Sequence, residues 1–144
     1  MDAAVSAPLR AIVVDDEPLA RRGLEIRLAA HADVEIVGYY GDGASAIGGL
    51  REHRPDLMFL DVQMPGMDGL AATRAIRALD EAVARTPIVA LTANVQPEHV
   101  TRCREAGMDD HVAKPVSPAD LAETIARHLR DDTSVTACAR RRPA

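Results

Sequence analysis

Four short apolar runs in this chain end on polar residues that could act together. Ala11–Val14 ends on Asp15-Asp16, Leu57–Leu60 on Asp61, Ile88–Leu91 on Thr92, and the segment 110–113 on Lys114. Brought to one place, they would give three carboxylates, a hydroxyl and an ammonium. Carboxylates at close range repel, and each raises its neighbours' pKa. A hard divalent cation relieves that repulsion, and Mg²⁺ commonly takes one or two carboxylates together with phosphate oxygens. An aspartate set beside such an ion and a lysine can act as a nucleophile toward a phosphoryl group, and Thr92 can donate a hydrogen bond to phosphoryl oxygens. Each residue alone has a plainer reading. Asp15-Asp16 would cap a following helix, Asp61 would turn the chain, Thr92 would close a strand, and Lys114 would be solvated. The histidines at 31, 53, 99, 111 and 128 show no metal-binding spacing and are assigned to the surface or rim. The joint occurrence, in this order and each at a strand end, favours the chemical reading.

The elements that would position these groups alternate in type. Pro18 follows an acidic run and opens a helix, with Leu19, Gly23, Ile26 and Ala30 as its expected apolar stripe. Val34–Tyr40 reads as a second strand and Ala44–His53 as a second helix, which Gly48-Gly49 weakens by about 1 kcal/mol per glycine relative to alanine. After Asp61 comes a Pro/Gly-rich loop. Asp68 is placed to cap a helix over 70–83 that carries Ala72, Ile76, Leu79 and Val83 on one stripe. Pro97 starts a helix with Val100, Cys103 and Ala106 inward, stopped by Gly107. Ser117-Pro118 begins the last, with Leu121, Ile125 and Leu129 at a four-residue spacing. Five strands alternating with five helices imply parallel strands joined by right-handed crossovers. All strands then end at one sheet edge, where open α/β sheets bind ligands.

Composition sets the outer limits. The chain is 47% apolar but only 2% aromatic, so Val, Leu, Ile, Ala and Met must fill the core. A net charge of −5 argues against a basic nucleic-acid surface. Cys103 and Cys138 form no CxxC motif and read as reduced cytosolic thiols. No apolar run approaches the roughly 18 residues of a membrane span, so a cytoplasmic protein that does not contact a membrane is expected. Residues 1–8 are expected to be flexible, 9–130 to form the folded domain, and 131–144 to be a disordered tail or linker stub.

The pieces VVDDEP, FLDVQMPGMDG, ALTAN and AKP resemble the receiver domains of two-component response regulators, and the resemblance covers residues 9–130. It implies a CheY-like, flavodoxin-like fold with strand order 2-1-3-4-5. It also implies that Asp61 is the phosphoacceptor and that Asp15, Asp16, Asp61 and the backbone carbonyl of Gln63 hold Mg²⁺, with Mn²⁺ as an alternative. Thr92 becomes the switch hydroxyl, Lys114 the phosphoryl contact, and the Lys114–Pro115 bond cis. Receivers often carry Tyr or Phe three residues before the lysine as a rotating partner of the hydroxyl. Here that position is His111, which is expected to take the switch role with Thr92. The phosphoryl donor implied is a histidine kinase or a histidine phosphotransfer protein. The output implied is a protein partner or a second copy reading residues 97–130; given the net charge of −5, no direct nucleic-acid contact is expected.

The sub-family signal is mixed. DDEPLARRGL is similar to receivers of LytTR-type DNA-binding regulators, whereas GMDD and AKPVSP are similar to receivers of hybrid histidine kinases. A rival enzyme reading, an aspartate-nucleophile phosphatase of the haloacid-dehalogenase type, needs an acid at position 63. Gln63 cannot donate a proton in that way. A third reading, an interaction module that is never phosphorylated, is disfavoured by the intact Asp16, Asp61 and Lys114.

Overall fold

A computed structural model describes residues 8–132. The elements are β1 (Leu9–Val14), α1 (Pro18–Leu28), β2 (Val34–Tyr40), α2 (Gly43–His53), β3 (Leu57–Asp61), α3 (Gly69–Arg77), a 3-10 turn (Ala82–Arg85), β4 (Ile88–Thr92), α4 (Pro97–Ala106), β5 (Asp110–Ala113) and α5 (Pro118–Asp132). The strands form one parallel sheet in the order β2-β1-β3-β4-β5. This is the doubly wound sheet expected from the alternating pattern, in the flavodoxin-like strand order that the resemblance implies. The expectations placed on residues 1–7 and 133–144, and on Cys138, lie outside the described residues.

The central strands are apolar in nearly every position because both sheet faces are covered. Ile12, Val14, Met58, Leu60, Ile88 and Ala90 meet Ala46, Leu50, Ala72, Ile76 and Cys103 on one side. Ala11, Val13, Leu57, Phe59, Val89 and Leu91 meet Leu24, Leu28, Leu121 and Ile125 on the other. Helices α2, α3 and α4 therefore cover one face, and α1 and α5 the other. The local signals behave as their chemistry dictates. Asp42 accepts the Ser45 N–H at 2.7 Å, Asp68 the Ala71 N–H at 2.8 Å and Ser117 the Asp120 N–H at 3.0 Å, capping α2, α3 and α5. Gly107 closes α4 with φ of 114°, where a side chain would be strained.

Two expectations fail. The stripe Leu19, Gly23, Ile26 and Ala30 does not face the core. Leu19 is 86% and Ile26 59% exposed, and α1 is anchored by Leu24 and Leu28 instead. Two apolar faces competed on this helix, and the buried one is that which meets Phe59 and Leu57 across the sheet. The helix expected over 70–83 stops at Arg77. Asp80 and Glu81 would place negative charge at a helix C-terminus, against the macrodipole. The Arg77 guanidinium instead donates to the carbonyls of Ala84 and Thr86, both at 2.7 Å, and to Gly107. Val83 still reaches the core, but from the 3-10 turn.

Glycines explain two close approaches. At Gly49 a Cβ would lie 2.5 Å from Cε2 and Oη of Tyr40, so the second glycine of the pair that weakens α2 makes room for that ring, whereas Gly48 faces open space. At Gly69 a Cβ would meet the backbone itself, the carbonyl oxygen of Asp61 and Val62 Cα, the latter at 2.7 Å. Backbone cannot swing aside as a ring can. The Gly69 N–H also donates to the Val62 carbonyl at 2.8 Å, tying the start of α3 to the turn after Asp61. Gly69→Ala should therefore lower stability by about 2 kcal/mol or more, in the range of overpacked cores, and displace Asp61 as it does so. Thermal unfolding of the variant checks this, and an unchanged midpoint would contradict it.

Candidate phosphoacceptor and metal site

The four strand ends converge as the parallel register requires. Val14 pairs with Leu60, Asp61 with Leu91, and Thr92 with Ala113. Asp15-Asp16, Asp61, Thr92 and Lys114 thus line one crevice of about 630 Å³ with Gln63, Pro115 and the α1 residues Leu19 and Gly23. Neither Asp15 nor Asp16 caps α1, whose N-cap is Glu17. Asp15 is 1% exposed, and its Oδ1 accepts the Glu17 N–H at 3.0 Å. Its carbonyl oxygen takes Arg21 Nη1 at 2.5 Å. Sequence reasoning did not assign Arg21 this role; its place one turn into a helix that starts at the site was the available signal.

Carboxylate oxygens of Asp15, Asp16 and Asp61 lie within 4.8 Å of one another. Hard oxygen donors this crowded suit a small divalent cation, so the donor set fits Mg²⁺. Lys114 partly balances the group. Its Nζ is 3.0 Å from Asp15 Oδ2 and 3.5 Å from Asp61 Oδ1. Burial pulls the lysine pKa down, but the two acids outweigh it and the net shift is upward. Asp61 is the less compensated acid. Burial first, then the nearby Asp15 charge, raise its pKa to about 6, against the lowering effect of Lys114 and of the Gln63 N–H at 3.3 Å. The Lys114–Pro115 bond is cis.

Thr92 is 4% exposed and its hydroxyl is engaged. Oγ1 receives the Asn94 N–H, and it lies 3.0 Å from both the Asn94 carbonyl oxygen and His99 Nε2. This corrects the assignment of all five histidines to the surface or rim. His99 is 7% and His128 8% exposed, so both are buried. The inward stripe of α4 is His99, Cys103 and Ala106, one register step from the expected Val100, Cys103 and Ala106. His111 is half-buried on β5 and borders a small hollow with Val100, Cys103 and Met108. Among the described residues its ring makes no hydrogen bond to Thr92.

A doubly wound parallel sheet with an acid cluster, a hydroxyl and a lysine at its carboxyl edge defines an α/β class of protein whose ligand site lies at the strand ends. The family model described as "Response regulator receiver domain" matches residues 11–126. The chain belongs to that family, the receiver domains of two-component systems. It is 40% identical over 122 residues to the DNA-binding response regulator MtrA of Mycolicibacterium smegmatis, covering 84% of this chain and 50% of that protein. It is 39% identical over 126 residues to the transcriptional regulatory protein BtsR of Escherichia coli K12, covering 88% of this chain and 50% of that protein. The chain thus spans about half the length of these curated relatives. Among solved structures, the receiver domain of the sensor histidine kinase PA1611 from Pseudomonas aeruginosa, with a magnesium ion coordinated in its active-site cleft, has a TM-score of 0.75. The identity is 32%, covering 86% of this chain and 99% of that one. A LuxR-family response regulator from Aurantimonas has a TM-score of 0.78 at 29% identity, covering 86% of each. The relatives' names do not support the expectation of no nucleic-acid contact, which rested on the charge of these residues alone. No helix among the described residues is long and apolar enough to cross a membrane.

The raised pKa of Asp61 has a testable sign. Its folded value, about 6, exceeds the ordinary value near 4, so the folded state holds this proton more tightly. The stability this contributes is complete below pH 4 and is lost as pH rises through 6. A shift of about two units corresponds to roughly 2–3 kcal/mol. In EDTA, unfolding free energy should therefore fall between pH 4 and 7 by an Asp61-dependent amount. Asp61→Asn should remove that component and raise the midpoint at pH 7.5. A variant no more stable than wild type at pH 7.5 would contradict the charge assignment.

Proposed function

We propose that this chain is a phosphorylation switch in which Asp61 takes a phosphoryl group from a phosphohistidine on a kinase or a phosphotransfer protein. The observation that carries this reading is the placement of Asp61. It is 5% exposed at the crevice wall, beside the Asp15-Asp16 pair and 3.5 Å from the Lys114 ammonium. With a pKa of about 6, its carboxylate is ionised at neutral pH yet more basic than an ordinary aspartate, which favours nucleophilic attack. An Asp61 oxygen forms the new bond to phosphorus as the phosphorus–nitrogen bond breaks, and the electron pair leaves with the donor imidazole. Lys114 Nζ faces the phosphoryl oxygens and neutralises charge that the acids would otherwise repel. The Thr92 hydroxyl donates its proton to one of those oxygens once the group is in place. Asp15, Asp16, Asp61 and the carbonyl of Gln63 would hold Mg²⁺, which when bound neutralises the acids and binds phosphoryl oxygens. The protein thus modifies itself and acts as a signal carrier, with residues 9–130 as the receiver unit.

Partner access also fits. Leu19 lines the crevice and is 86% exposed, and Ile26 is 59% exposed on the same helix. An apolar strip at the mouth of the site suits a protein donor that covers the crevice during transfer. On the output side, residues 97–130 take in α4, β5 and most of α5, and they include the group that holds the Thr92 hydroxyl.

Two measurements test this reading. Wild type incubated with acetyl phosphate and Mg²⁺ should gain one phosphoryl mass, while Asp61→Asn and wild type in EDTA should gain none. Equal labelling of Asp61→Asn would place the acceptor elsewhere. Separately, Mg²⁺ at about 100 times its dissociation constant should stabilise wild type by roughly 2.7 kcal/mol. Asp16→Asn should lose most of that shift and lose more than Asp15→Asn does. An equal midpoint in Mg²⁺ and EDTA would contradict the metal assignment.

A further inference from the structure

A threonine hydroxyl has one proton to donate and two positions at which to accept. At Thr92 this capacity is already taken up by the segment that follows β4. The Asn94 N–H donates to Oγ1 at 3.0 Å, and the remaining contacts at the same distance are the Asn94 carbonyl and His99 Nε2. If the ring carries its proton on Nδ1, the hydroxyl donates to Nε2. If the proton is on Nε2, the ring donates to the hydroxyl, whose own proton then goes to Asn94. When the hydroxyl donates to Nε2, turning its proton toward a phosphoryl group on Asp61 breaks that bond directly; when the ring donates, the bond is lost as Oγ1 itself moves toward the phosphoryl oxygens.

The two losses are not equivalent. Asn94 is exposed, so water replaces what it gives up. His99 is buried beneath α4 at 7% exposure. A ring nitrogen that loses Thr92 has no water at hand and stays unsatisfied unless the ring, or the helix carrying it, moves. Leaving a buried polar atom unpaired costs enough to bias a two-state element. His99 sits in the first turn of α4 and is the only α4 side chain hydrogen-bonded to Thr92 among the described residues. His111, half-buried against Val100, Cys103 and Met108, makes no such bond.

Building on the phosphoacceptor reading of Asp61, we propose that His99 is the positioning residue of the switch. It holds the Thr92 hydroxyl in the resting orientation, and its release passes the phosphorylation signal into α4. The route through position 111 is not needed. His99 touches neither the phosphoryl group nor the metal; it acts through Thr92 alone. A residue that stabilises only the resting state lowers the apparent affinity of whatever favours the active one.

The test uses beryllofluoride with Mg²⁺ as the phosphoryl mimic, on wild type, His99→Leu, His99→Gln and Thr92→Val. In wild type, the ¹⁵N signal of His99 Nε2 and the amide signals of residues 97–106 should shift together on beryllofluoride addition. In Thr92→Val, the Nε2 signal should be displaced from the start and should not respond. His99→Leu, with no latch, should bind beryllofluoride about five- to tenfold more tightly, with α4 amides already displaced toward their activated positions. His99→Gln, which can still hydrogen-bond the hydroxyl, should restore wild-type behaviour. A histidine that merely fills space would leave the Nε2 signal indifferent to both Thr92→Val and beryllofluoride, and that result overturns the latch even if His99→Leu does not fold. A leucine variant that matches wild type in affinity and in α4 response also overturns it. If wild-type Asp61 takes no beryllofluoride at all, the phosphoacceptor reading falls and the latch with it. Normal modification of Asp61 with an unmoved His99 removes the latch alone.

Discussion

Everything at the carboxyl edge of this sheet depends on one unequal balance, three clustered carboxylates and a single lysine that reaches two of them. Lys114 Nζ is closer to Asp15 than to Asp61, at 3.0 against 3.5 Å. Burial and the Asp15 charge raise the pKa of Asp61, and the more distant ammonium does not offset them. A packed protein gains nothing from such a group, because buried like charges destabilise the fold. The strain makes sense as stored affinity for a cation and a phosphoryl group. The ligands that relieve the charge are those that the proposed chemistry requires.

The surrounding structure keeps that imbalance in place. Parallel pairing aligns the ends of β1, β3, β4 and β5, so the acids cannot separate without breaking the sheet. Arg21 grips the Asp15 carbonyl from α1, and the absence of a Cβ at Gly69 lets α3 start directly behind Asp61. Arg77 does similar work at the far end of α3. It joins the carbonyls of Ala84, Thr86 and Gly107 to Asp109 at the entrance to β5. Arg21 and Gly69 act at the crevice, while the Arg77 contacts tie the opposite edge of the sheet, where β4 and β5 begin. In the proposed switch, the engaged hydroxyl of Thr92 and the α4 ring behind it are the parts whose hydrogen bonds change.

Much of this was legible in the sequence, for a physical reason. Strand runs, N-caps such as Asp68 and Ser117, and the αL stop at Gly107 are set by interactions within a few residues, and each could be read from its neighbours. The site was legible because a parallel sheet turns strand ends, which are local features, into one tertiary cluster. What failed was decided at longer range. On α1 two apolar faces were present, and only contact with the sheet chose Leu24 and Leu28 over Leu19 and Ile26. The end of α3 was fixed by Arg77 reaching carbonyls up to thirty residues away. His99 escaped notice because polar side chains on amphipathic helices usually face water, and its partner lies on the neighbouring strand.

The measurement that tests the central claim most directly is the chemical position of the phosphoryl group. Borohydride reduces an aspartyl phosphate to homoserine and leaves a free carboxylate unchanged. Protein phosphorylated with acetyl phosphate and Mg²⁺ would be reduced, digested and sequenced by tandem mass spectrometry. The expected result is homoserine at position 61, with Asp15 and Asp16 intact. Homoserine at either of those positions, or at a surface aspartate with Asp61 unmodified, would contradict the account.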